Sequence, residues 1–344
     1  MWRSIKRTWA VAHLTSTEGL RQPAFFLLFF VCAFMTFMSP YFSFFNLGEN
    51  AKMVTDLGLS TVLTVSTLLA LLTASTTITD EIEGKTALTM LSKPLRREEF
   101  LIGKYIGVAI TSCAMVLLMS IVLLVTLRGE QFEAERDIWF RPGLIGGLIL
   151  ALLIFLVFMV RRLLYNGKTE LTQAFWIAWF CGTVAVLVFV TTMEPNAPLK
   201  FDPDKPGIYG RQPGWDWRIL IGMIFICFHN TIISAVAVAF ATRLTLVQSA
   251  IGTLVFFLVG HMSGGLVAPF RDRVTGLSTV GSVLRAILPD LDQFNITDAL
   301  ATAYLDTPIH IPMDVVVTSS LYAVLYSIAL LAVAAALFSR RELG

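Results

Sequence analysis

Long apolar runs alternate with short polar segments along the chain, and each run is continuously apolar. Eight stretches of at least 18 residues contain no Asp, Glu, Lys or Arg: 24–45, 57–79, 105–127, 143–160, 174–193, 219–241, 246–268 and 315–338. At about 1.5 Å per residue, each can cross about 30 Å of hydrocarbon as an α-helix. Barrel strands would instead alternate apolar and polar residues, and these runs do not. The pattern predicts an all-α polytopic transmembrane helical bundle of about eight spans, with residues 1–344 as a single domain.

The polar segments add smaller elements. Ahead of the first run, Trp2, Ile5, Trp9 and Ala12 recur at helical spacing while Arg3, Lys6 and Arg7 point elsewhere. This predicts an N-terminal interfacial helix over 1–23, with Arg21 and Pro23 marking the turn into the membrane. The run that follows is too long for a signal peptide and lacks a small-residue cleavage pattern. Segment 269–314 places Leu277, Val280, Leu284 and Ile287 at helical spacing before Pro289, which predicts a short amphipathic helix on the outer face, with a second after Thr297. Segment 194–216 holds five of the thirteen prolines and leads into Trp215 and Trp217, an extended loop ending in an aromatic belt.

Composition agrees with the pattern. Hydrophobic residues make up 56% of the chain and charged ones 15%, with a net charge of +2, so a soluble globule is disfavoured and nothing suggests nucleic acid as a partner. With the N-terminus inside, 15 of the 26 Lys/Arg fall in inside segments, although the outside segments are longer in total. That bias puts both termini in the cytoplasm. Cys32, Cys113, Cys181 and Cys227 lie inside spans and read as small packing residues.

One inside loop, 80–104, packs five acids and five bases into 25 residues, far more than a helix connection needs. It also carries apolar Ala87, Leu88 and Leu91 before Pro94, the outline of a docking surface with charges for register and an apolar face to bury. Gly84-Lys85-Thr86 looks like the end of a phosphate-binding loop, but Thr79 stands where that motif needs glycine, and a membrane helix precedes it instead of a strand. No nucleotide site of the chain's own is expected.

The run Glu81-Ile82-Glu83-Gly84-Lys85-Thr86, then Leu91-Ser92-Lys93-Pro94-Leu95-Arg96-Arg97 and Gly103-Lys104, resembles the cytoplasmic signature of ABC-2 type transporter permeases, in particular the group related to multicopper-enzyme-maturation permeases. Further likeness lies in Ile287–Asn295, in Arg243-Leu244 through Gly260-His261, and in the ending Phe338-Ser339-Arg340-Arg341-Glu342-Leu343. The likeness is weakest between 142 and 193. Such permeases usually have six spans, so residues 143–193 look like an inserted helical hairpin, and an even number of extra spans preserves orientation.

The resemblance implies a non-catalytic membrane subunit of an ATP-binding-cassette transporter, an exporter in the plasma or inner cell membrane. It would pair with a second permease subunit, as homo- or heterodimer, and with a separate ABC ATPase. Loop 80–104 becomes the coupling element, with Glu81, Glu83, Gly84, Lys85, Thr86, Leu88, Leu91, Pro94, Arg96 and Arg97 as contact candidates. No cofactor or metal is implied.

Polar residues within the spans are candidates for lining a pathway. The second span is dense in hydroxyls, including Thr64 and Thr67, which suit lining and close helix packing equally. His229 with Asn230 in the sixth span and His261 in the seventh join them, although two His without an acid make a weak metal or proton site. Gly103/Gly107 and Gly260/Gly264 have small-residue packing spacing. A secondary transporter would be expected to carry a mid-membrane carboxylate, and no span has one. An intramembrane hydrolase lacks its motif. A permease-like scaffold that recruits an ATPase without transport is the remaining alternative.

Overall fold

The structure is a computed structural model that describes residues 2–40, 50–83, 96–133, 218–263, 289–297, 300 and 312–339. Among these residues the chain is helical, with no strand. The helices are α1 (Trp2–Arg21), α2 (Pro23–Met38), α3 (Asn50–Glu83), α4 (Arg97–Glu133), α5 (Arg218–Ala241), α6 (Leu246–His261) and α7 (Met313–Ser339), with a 3₁₀ turn at Asp292–Phe294. Parts of α3, α4, α5 and α7 are long and apolar enough to cross a membrane: Lys52–Thr79, Arg97–Leu124, Ile219–Ala241 and Met313–Ala336. They match the second, third, sixth and eighth expected spans. The expected hairpin at 143–193 and most of 269–314 lie outside the described residues.

Helix ends follow from local chemistry. Pro23 sits at the first position of α2, where a missing N–H costs nothing, and α1 and α2 meet there at a bend of 58°. The pair passes as one broken span, a fifth candidate. Glu99 reaches back to accept the Arg96 backbone N–H at 3.3 Å, capping α4, and Gln248 does the same for Thr245 at the start of α6 at 3.4 Å.

A helix is present where the sequence predicts an interfacial one, but it packs lengthwise along α4, a candidate span, instead of lying across the bundle end. Thr8 and Val11 lie against Gly103, Ala12 and Thr15 against Gly107, and Gly19 against Thr111, so residue numbers rise together and α1 runs parallel to α4. A Cβ added at Gly107 would stand 2.5 Å from Thr15 Cβ and 2.8 Å from the Ala12 carbonyl oxygen. Only a residue without a side chain lets the two backbones approach so closely. Trp2, Ile5 and Trp9 face away, more than half exposed.

α3 is the hub, touching α2, α4, α5 and α6, while α5 also packs on α4, α6 and α7. One apolar cluster joins Phe25, Phe29, Leu59, Val62, Met115, Met119, Leu123 and Met223, and a second joins Ala70, Ala74, Ile78, Val108, Ile232, Ile233 and Val238. In lipid these contacts hold by close packing, because hydrocarbon is as apolar as the side chains. Ser4 Oγ bonds the Glu99 carboxylate, and Phe100 stacks on Phe338 at 6.3 Å. The start of α1, the end of α7 and the α3–α4 connection therefore share one end of the bundle.

Candidate functional site

That shared end is built around Lys104. On the second turn of α4 its side chain is 1% exposed, and Nζ donates to Glu81 Oε1 at 2.7 Å and to the Thr77 carbonyl oxygen at 3.5 Å. Glu18 Oε2 on α1 lies 4.0 Å away, and the ammonium stands 5.7 Å from the centre of the Phe100 ring. Three helices thus meet at one buried cation. A charge taken out of water costs several kcal/mol unless it is paired, so Lys104 holds the ends of α3 and α4 together through Glu81. Burial is the larger influence on the Glu81 carboxyl and pushes it above the ordinary carboxylate value; Lys104 pulls it back, and Glu18 adds to the rise.

Loop 80–104 enters and leaves the bundle at this junction. Of its expected contact residues, Glu81 faces inward as the ion-pair partner of Lys104. Arg96 is exposed beside the first turn of α4, and Arg97 donates from Nη1 to the Phe338 carbonyl oxygen at 3.2 Å with its guanidinium 5.9 Å from that ring. Gly84, Lys85, Thr86, Leu88, Leu91 and Pro94 lie outside the described residues, as does the Glu83 side chain.

A second polar group sits within the bundle. His229 and Asn230 on α5 are fully buried, and the His229 ring lies 5.3 Å from the His261 ring of α6. Phe257 is 4.4 Å from His261 and 5.7 Å from His229, and Phe294 of segment 289–297 comes within 6.5 Å of His229. That segment is seated there because the Leu291 N–H donates to the Gly260 carbonyl at 3.2 Å and its side chain covers Gly260. Thr67 Oγ1 donates to Asn230 Oδ1 at 3.5 Å, and His261 Nδ1 is 3.0 Å from the Phe257 carbonyl oxygen. Both ring nitrogens of His229, Asn230 Nδ2 and His261 Nε2 have no hydrogen-bond partner among the described residues.

Four of the five pathway candidates, Thr67, His229, Asn230 and His261, therefore come together. Thr64 does not: it is exposed and bonds back to the Ser60 carbonyl at 2.9 Å. Four more α3 hydroxyls also bond back to their own helix: Thr61 to Leu57, Ser66 to Leu63, Thr76 to Leu72 and Thr77 to Thr73. Ser75 instead meets Ser249 of α6 at 2.7 Å, and Thr76 accepts the Gln22 amide at 2.9 Å. No group of three or more His, Cys, Asp or Glu is placed to hold a metal among the described residues.

At the level of sequence, Lys104 counts among the bases of loop 80–104 and in the Gly103-Lys104 pair, and Glu18 is not singled out. A signal existed: Thr77 with Glu81, and Phe100 with Lys104, are each four apart and share a helix face, so an acid and a base bracket the connection on inward-facing positions. No protein-family model matches the chain, and no curated protein matches it either.

Proposed function

We propose that the chain is the membrane-spanning permease subunit of an ATP-binding-cassette exporter in the plasma or inner cell membrane, with both termini cytoplasmic. A separate ABC ATPase docks on loop 80–104, and a second permease subunit completes the translocation path. Closure of the ATPase on ATP pushes the loop, the inner ends of α3 and α4 move as one, and a two-state bundle shifts. The observation that carries this reading is the buried Lys104–Glu81 pair at the roots of the charge-rich loop. A flexible root would dissipate a push, whereas an ion pair inside the bundle passes it to both helices.

The test is purification of the tagged chain in mild detergent followed by identification of what accompanies it. An ABC ATPase is expected, and Glu83→Ala with Arg96→Ala should weaken its retention while the bundle stays folded. Absence of any ATPase under conditions that preserve other membrane complexes, or retention and ATP turnover untouched by the double variant, overturns the assignment.

A further inference from the structure

Lys104 has one carboxylate in full contact and a second one step away. Glu81 is at 2.7 Å, on the last turn of α3 before the charged loop, with its side chain 13% exposed. Glu18 is at 4.0 Å, on α1, with its side chain 45% exposed. A buried ammonium cannot be left without a counter-charge, so any displacement of the α3 end that draws Glu81 away must be met from elsewhere. Among the described residues Glu18 is the only other carboxylate that close.

We propose that Lys104 is a positioning residue that exchanges partners, held by Glu81 when the α3 end is seated and by Glu18 when it is displaced. The exchange recruits α1 into the motion. α1 is already fastened along α4 at Gly103 and Gly107, so a hand-over needs only a rotation of the Glu18 side chain out of its water-facing position. Because the new contact forms as the old one lengthens, the cation keeps a carboxylate throughout. The proposal deepens the coupling role and rests on it only for its consequence, that the N-terminal helix moves with the loop.

The experiment needs no ATPase. The purified chain in lipid nanodiscs is treated with a water-soluble carbodiimide and a glycine ester, and amide formation at Glu18 is measured by peptide mass spectrometry. Glu81→Gln removes the first partner, so Glu18 should turn to Lys104 and its labelling should fall about fivefold, the shift that about 1 kcal/mol of added attraction gives. Lys104→Met should raise Glu18 labelling above that of the parent, and Glu81→Gln in the Lys104→Met background should change it no further. A purely structural role for the pair would lower stability in Glu81→Gln without altering Glu18 reactivity. Glu18 labelling unmoved by either single variant overturns the exchange. If Glu81→Gln does not fold, Glu81→Asp, whose shorter side chain lengthens the first contact, takes its place: a fall in Glu18 labelling supports the exchange and unchanged labelling overturns it. Failure to recover an ATPase would refute the transporter reading and leave this result standing.

Discussion

At the junction of α1, α3 and α4 a buried ammonium is met by a carboxylate at 2.7 Å, by a backbone carbonyl and by a ring face. Midway through the bundle, His229 is just as buried, yet its neighbours are His261, Phe257 and Phe294, and neither of its ring nitrogens has a partner among the described residues. The difference follows from charge. An imidazole can sit neutral among rings at modest cost, whereas a lysine beside carboxylates stays charged and must be satisfied. One region therefore depends on pairing and the other on shape.

The largest effect expected from breaking this contrast is at the junction. Glu18→Ala combined with Glu81→Ala removes both described carboxyl groups, with their acceptor oxygens, from beside Lys104 and should lower unfolding stability by about 3–5 kcal/mol, read by thermal unfolding in mild detergent. A loss no greater than that of Glu81→Ala alone would show that Glu18 does not support the cation.

A smaller effect comes from pH. The Glu81 carboxyl is raised, first by burial, so folding favours its protonated form. Its stabilising contribution is present below the ordinary carboxylate value and is lost as pH rises through the raised one. Among the described residues, Lys104 and Glu18 are the titratable groups that act on it. The melting temperature of the parent should therefore decline across that window more than that of Glu81→Gln, which lacks this carboxyl. Parallel curves would mean that the carboxyl is not perturbed.

The smallest change is expected at the imidazole. His229→Phe keeps a flat ring and removes two polar atoms that have no described partner, so stability should move by no more than about 1 kcal/mol. A much larger loss would show that His229 is satisfied by a group beyond the described residues and would put the two regions in the same class.

Much of this arrangement was legible in the chain. The apolar runs that became α3, α4, α5 and α7 needed only length and absence of charge, because the membrane imposes both on any helix that crosses it. The stripe of Trp2, Ile5, Trp9 and Ala12 marked a helix but not a single face, since Trp2, Ile5 and Trp9 are exposed while Ala12 is buried against Gly107. The face carrying Val11, Ala12 and Thr15 has no strong signal of its own, since small residues become meaningful only beside Gly103 and Gly107 of another helix. The candidates Thr64 and Thr67 are three apart on one helix, and nothing local separates them, yet only Thr67 meets α5.

By itself, the sequence determined the solvent, the helical class and the concentration of charge in one connection, because these depend on composition summed over a segment. Tertiary structure decided which charges are solvated and which are buried. Glu98 and Glu99 are adjacent, but helix geometry turns successive side chains by about 100°, so Glu98 is exposed while Glu99 is buried beside Ser4. Only the packing of α1, α3 and α4 made Glu81 the partner of Lys104 and brought Glu18 within 4.0 Å of the same cation.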